Sequence, residues 1–130
     1  MNKPRVLIAM HYLHLGGAET ALIGLLHAWD YERADVDLFL YARRGELLSE
    51  LPLEVNLLPE LADYRAIESP VAEALRSGRL GVVYGRMRAR QYYRKSRHRD
   101  AIFDLVGRHV TQFLPPMSTA SYDLAISFIA

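Results

Sequence analysis

Apolar residues in this chain fall into short dense runs separated by segments with helical spacing. Residues 5–10, RVLIAM, form an apolar run that predicts a first strand. A short loop with two adjacent glycines follows. Leu22, Leu25, Leu26 and Trp29 then recur at three- and four-residue spacing, which predicts a helix over 18–29 with one buried stripe. A second strand is predicted over 36–42, rich in apolar and aromatic residues, preceded by Asp35 and Asp37 and ended by Arg43, Arg44 and Gly45. A short helical turn over 46–51 closes at Pro52, and a third strand over 54–58 stops at Pro59. Ser69 and Pro70 read as a capping serine with proline at the first helical position. Val71, Ala72, Leu75 and Leu80 give that helix a modest apolar face, and Gly78 and Gly81 loosen its end. Asp100 then caps an amphipathic helix over 101–114, with Ile102, Leu105, Val106, His109, Val110 and Phe113 on one side, ended by Pro115 and Pro116. A last strand is predicted over 122–129.

Strands that are apolar almost throughout, alternating with helices, predict an α/β fold: a Rossmann-like parallel sheet with helices on both faces and right-handed crossovers. Residues 1–130 are expected to form one such domain. A final strand needs a helix to cover it, so the chain reads as a fragment of a longer protein. The 51% hydrophobic content excludes general disorder, and the absence of cysteine excludes disulfides and thiolate metal sites. The N-terminus carries no signal-peptide pattern, and no apolar run is long enough to span a bilayer. The expected location is cytoplasmic.

The net charge of +1 conceals an asymmetry. Residues 1–75 carry six basic and twelve acidic side chains, whereas residues 76–99 carry nine basic and none acidic. The basic stretch includes Arg86, Arg88, Arg90, Arg94, Lys95 and Arg97, interleaved with Tyr84, Tyr92 and Tyr93. It reads either as a solvated helix face or as a surface for an anionic partner. That partner could be membrane phospholipid, a lipid-linked or polyanionic acceptor, or nucleic acid. No recognised nucleic-acid-binding motif accompanies the arginines.

The candidate chemistry lies at the first strand–loop–helix junction. Gly16 and Gly17 allow close approach of backbone, and the helix N-terminus offers unpaired N–H groups and a positive dipole end to a phosphate. The same glycines also suit a tight turn alone. They form no dinucleotide fingerprint, because the third glycine is missing, and no P-loop, because no Gly-Lys-Ser/Thr follows. Glu19 falls in the first helical turn, where a carboxylate is favoured whatever the function. His11 and His14 are three residues apart without further ligands at suitable spacing, so no metal is expected.

Several of these segments together resemble the N-terminal domain of retaining glycosyltransferases of the GT-B architecture, the group 1 or family 4 type. The resemblance rests on Val6, Leu7, Ile8; on Leu15, Gly16, Gly17, Ala18, Glu19; on the helix residues 21–26; and on the strand residues 36–40. It continues through Arg44, Gly45, Glu46, Leu47, Leu48, through residues 54–58, and through 122–127, with no recognisable motif over 64–119. In that family two Rossmann-like domains face each other across a cleft. The resemblance implies that Gly16 and Gly17 contact the phosphates of a nucleotide-sugar donor. It also implies that His11, Tyr12, His14 and Glu19 line the acceptor side of the cleft. The donor is a substrate, so no cofactor is implied, and the acceptor would be a cell-surface glycan or a lipid-linked molecule. The family's donor-binding half has no counterpart in these residues, so the chain alone is expected to be inactive. The resemblance favours peripheral contact with an anionic membrane over nucleic acid for the basic stretch. The alternative is a non-catalytic α/β binding module in which 76–99 docks an anionic membrane or polyanion.

Overall fold

The computed structural model describes residues 2–95, 110 and 112–128. They divide into two compact units, Met1–Glu60 with Met117–Ala130, and Leu61–Pro116. The helical stretch between the third and fourth strands carries a core of its own.

The first unit contains β1 (Arg5–Met10), α1 (Gly17–His27), β2 (Asp35–Leu40), a 3₁₀ turn (Glu46–Glu50), β3 (Asn56–Leu57) and β4 (Leu124–Ser127). The strands form one sheet in the order β3-β2-β1-β4, and every pairing is parallel. This is the α/β, Rossmann-like class that the alternation of strands and helices predicts. Val6, Ile8 and Met10 of β1 and Val36, Leu38 and Leu40 of β2 share one face and pack with Leu22, Ile23 and Leu26 of α1. Burying each such large side chain contributes about 1.5–3 kcal/mol. Ala9, Asp37 and Phe39 on the other face are buried as well. Burial on both faces explains why these strands lack alternation. On α1 the stripe is shifted by one position: Ile23 is buried, while Leu25 lies exposed at its edge.

Asp37 is the charged residue of this interior, with its side chain only 4% exposed. Arg5 Nη2 donates to its Oδ2 at 2.8 Å, the Tyr122 hydroxyl to the same oxygen at 2.7 Å, and Asn56 Nδ2 to Oδ1 at 3.0 Å. One carboxylate thus joins β1, β2, β3 and the residue leading into β4. Arg5 N–H also donates to Asp123 Oδ2 at 2.8 Å.

The second unit contains α2 (Ala62–Glu68), α3 (Val71–Arg76) and α4 (Leu80–Lys95). Ala66, Ala74, Val82, Val83 and Val110 form its small core. Ser69 does not cap the helix after it. Its hydroxyl donates back to Arg65 O at 2.9 Å and closes α2, a helix absent from the sequence reading. Pro70 takes the cap position of α3 instead. Gly78, at φ +73°, ends α3 with its N–H on Leu75 O at 3.1 Å and the Arg79 N–H on Ala74 O at 3.4 Å. That Schellman pattern needs the left-handed region, which glycine enters freely. Gly81 loosens nothing, because it lies inside α4 with the Phe113 ring against it. The Tyr64 hydroxyl donates to Pro115 O at 2.7 Å and clasps the two ends of this unit together. The helix expected over 101–114 falls outside the described residues, apart from helical Val110 and residues 112–114.

Candidate functional site

In a parallel sheet, ligands bind beyond the carboxyl ends of the strands where the strand order reverses. Here the reversal is at β1, which has β2 on one side and β4 on the other. Ala9 stands opposite Ser127, and the Phe128 N–H donates to Ala9 O at 2.8 Å. The loop that leaves β1 at this point is the glycine loop.

Residues 11–16 of that loop are held by the segment that follows β2. Leu13 is fully buried; its N–H donates to Arg44 O at 2.9 Å, and its carbonyl accepts from the Leu47 N–H at 3.0 Å. Gly45 lies against this backbone with φ +123°, and a Cβ there would overlap the Leu13 carbonyl. Glu46 Oε2 accepts from the Leu15 N–H at 3.1 Å and pairs with His14 Nδ1 at 3.1 Å. The carboxyl of Glu46 is held below the usual range, first by its own backbone N–H, then by His14 and the Leu15 N–H. The aromatic residues gather beside it. His11 lies 4.8 Å from the Tyr41 ring, Tyr12 lies 4.8 Å from His14 edge-on, and the Arg44 guanidinium sits 5.4 Å from the Tyr12 centroid.

Gly16 caps α1 in extended backbone, and the Thr20 N–H donates to its carbonyl at 2.9 Å. The amides of Gly17, Ala18 and Glu19 precede that first helical bond. The Glu19 carboxylate lies against Gly16, so a side chain there would have to displace the end of Glu19. Nothing lies within 4 Å of the Cβ position of Gly17, so the helix end is open on that side. The two glycines thus differ: the first makes room for Glu19, and the second faces solvent. An anion approaching the first-turn amides has access past Gly17 and meets the Glu19 charge past Gly16.

His11, Tyr12, His14, Gly16, Gly17 and Glu19 therefore all stand at the carboxyl end of β1. Sequence reasoning missed the residues that hold them, Arg44, Gly45 and Glu46. Their only sequence signal is the Gly-Glu-Leu-Leu run that carries part of the family resemblance. Among the described residues no group of histidine, aspartate and glutamate side chains is arranged to hold a metal ion.

The basic candidates separate in the structure. Arg86 is turned toward its own unit: its Nη1 donates to Ala66 O at 2.8 Å and Ser69 O at 2.7 Å, closing the end of α2. Arg88, Arg90 and Arg94 are exposed on α4. Lys95 is the last residue of α4, and Arg97 lies outside the described residues. Among the described residues no helix is long and apolar enough to cross a membrane.

Compared with known proteins, the chain matches no family model, no curated protein and no solved structure.

Proposed function

We propose that this chain is the acceptor-side, N-terminal half of a glycosyltransferase that moves a sugar from a nucleotide-sugar donor to a cell-surface glycan or lipid-linked acceptor. The observation that carries the reading is the open Gly17 end of α1 at the point where the parallel sheet reverses its strand order. Backbone amides at a helix N-terminus stabilise the charge that grows on a departing nucleoside diphosphate. The loop bearing them is fixed by Leu13, Gly45 and Glu46, so little ordering is needed when a ligand arrives. The aromatic residues His11, Tyr12 and His14, half-buried beside the glycines, supply apolar faces and ring nitrogens for a sugar. In this reading Glu19 shapes the loop and touches no reacting atom. The exposed arginines of α4 would bring the protein to an anionic membrane from the cytoplasmic side.

Titration with uridine diphosphate and guanosine diphosphate, followed by amide NMR, tests the donor contact. Shifts concentrated at Gly16, Gly17 and Ala18, and lost in Gly17→Leu, are the expected result. Absence of those shifts at tens of millimolar ligand overturns the phosphate role. Robust sugar transfer by the chain alone would contradict the division of labour proposed here.

A further inference from the structure

The segment that follows β2 carries two adjacent arginines with different commitments. Arg43 spends its donors on its own unit: its N–H donates to Glu60 Oε2 at 2.7 Å and its Nη2 to Leu57 O at 3.1 Å. The Arg44 backbone is fixed on both sides, its N–H donating to Ala42 O at 2.9 Å and its carbonyl accepting from the Leu13 N–H at 2.9 Å. Its side chain is exposed. The guanidinium stands over the Tyr12 ring at 5.4 Å, and among the described residues no carboxylate or carbonyl is paired with it. Glu46, two residues on, is already engaged by His14 Nδ1 and by the Leu15 N–H, both at 3.1 Å. An ionised carboxylate only accepts, so His14 donates from Nδ1, and the neutral ring keeps its Nε2 lone pair for an incoming hydroxyl. The His14 side chain is 45% exposed, and its ring lies 4.8 Å from that of Tyr12. Arg44, Tyr12 and His14 thus form a continuous row beyond the carboxyl ends of β1 and β2: an unspent guanidinium fork, a phenol and a ring nitrogen.

We propose that this row is a subsite for a sugar ring bearing one anionic substituent, a carboxylate or a phosphate, with Arg44 on the charge and Tyr12 and His14 on the ring and its hydroxyls. A guanidinium fork matches either oxyanion through two parallel N–H bonds, and such charge-assisted bonds are about twice as strong as neutral ones. An exposed arginine ordinarily loses rotamer freedom when it binds. Here the backbone is clamped and the guanidinium already rests on Tyr12, so less freedom is left to lose. A neutral sugar leaves the guanidinium without a partner of opposite charge. A bare anion leaves His14 Nε2 and the Tyr12 ring unused. A ligand that carries both a charge and a hydroxylated ring uses the whole row. That this ligand is the acceptor, and the acceptor therefore acidic, rests on the glycosyltransferase reading; that an acidic sugar binds here does not.

The test is amide NMR titration of the chain with methyl glucuronide, methyl glucoside, glucose 6-phosphate and inorganic phosphate, with uridine diphosphate as a parallel series. Shifts at Tyr12, His14 and Arg44 are expected with the glucuronide or the sugar phosphate, and binding of the neutral glucoside should be about tenfold weaker or more. The tighter of the two acids identifies the source of the charge, and inorganic phosphate alone should bind more weakly than the sugar phosphate. Arg44→Gln is expected to weaken the acidic sugar about tenfold, with only partial recovery in Arg44→Lys, which keeps the charge but loses the fork. Arg33→Gln, which removes the same charge from an 87% exposed side chain, should leave binding unchanged. His14→Phe should weaken the acidic sugar without affecting inorganic phosphate. Glucoside binding as tight as that of the acids, acid binding that survives Arg44→Gln, or no shift in this row with either acidic sugar at tens of millimolar would each overturn the proposal. So would loss of the uridine diphosphate shifts in Arg44→Gln with the acidic sugars inert, which would assign the arginine to the donor. Acidic-sugar shifts in a chain whose Gly16 and Gly17 are unmoved by uridine diphosphate would leave this subsite standing and refute the donor contact alone. The Arg44 side chain carries none of the backbone bonds around Leu13, so an otherwise unchanged amide spectrum in Arg44→Gln separates lost binding from lost folding.

Discussion

Replacing Asp37 by alanine should unfold the sheet unit at markedly lower denaturant. Three donors converge on this carboxylate: Arg5 at 2.8 Å, Tyr122 at 2.7 Å and Asn56 at 3.0 Å. Hydrogen bonds to a charged group contribute about 1.5–3 kcal/mol each when their partners cannot turn to water. Two of these partners can. Arg5 is 41% exposed, and Asn56 is exposed, so both regain solvent after the substitution. The Tyr122 hydroxyl keeps a second neighbour in Ser118 Oγ at 2.9 Å. The expected loss is therefore about 3 kcal/mol, well short of three full bonds. Asp37→Asn should cost about half of that, because the Asn56 amide can rotate to present its oxygen to the new NH₂. The assay is urea unfolding followed by fluorescence. Trp29, the single tryptophan, belongs to the sheet unit and donates from Nε1 to Ala34 O at 3.0 Å, so its emission reports that unit. A loss under 0.5 kcal/mol for Asp37→Ala, or equal losses for alanine and asparagine, would refute this account of the network.

Other substitutions probe the loop and the helical unit. Gly45→Ala should cost about 3 kcal/mol, since φ +123° and the Leu13 carbonyl both oppose a Cβ, whereas Gly17→Ala should leave stability unchanged or raise it by about 0.5 kcal/mol; chemical denaturation of both variants decides. Arg86→Ala should remove about 2 kcal/mol by uncapping α2, with partial recovery in Arg86→Lys, read as the thermal midpoint of helical dichroism. Burial, as the leading cause, raises the hydroxyl pKa of Tyr31, Tyr64 and Tyr122 above the usual 10.0. A raised folded-state pKa gives stability that is fully present below pH 10 and lost as pH rises through the folded value, so urea midpoints should fall between pH 10 and the pH at which these tyrosines ionise.

The sheet was legible because its strands are apolar on both faces and leave no other state for such segments. Arg5–Met10 is recovered to the residue, and the second strand differs only at its ends. The third and fourth strands shrink to Asn56–Leu57 and Leu124–Ser127, since a single neighbour at the sheet edge sustains fewer ladder bonds than the apolar run suggests. The helical unit was less legible. Its core is built from alanines and valines, which carry weak periodicity, and Ser69-Pro70 marks the end of one helix as well as the start of another. The glycine loop was located correctly, but what fixes it was not. The contact between Gly45 and Leu13 joins residues far apart in sequence, and no local pattern announces a backbone packed on a backbone. Arg86 illustrates the opposite error: counted as surface charge, it works inside its unit because the open carbonyls at the end of α2 are close enough to claim it.

The clasp between Tyr64 and Pro115 bears on how the chain is assembled in time. β1 pairs with β2 across a short connection, but with β4 only across a sequence separation of 118 between Arg5 and Asp123. Closing so long a loop costs entropy before any ladder bond compensates, and such non-local pairings slow folding. A helical unit that folds first and joins its own ends shortens the span that must be closed. Until then one edge of β1 has no partner, and an unpaired, apolar strand edge is a template for pairing with other chains. A weakened clasp, as in Tyr64→Phe, should therefore show itself less in the finished protein than in the yield of refolding at high concentration.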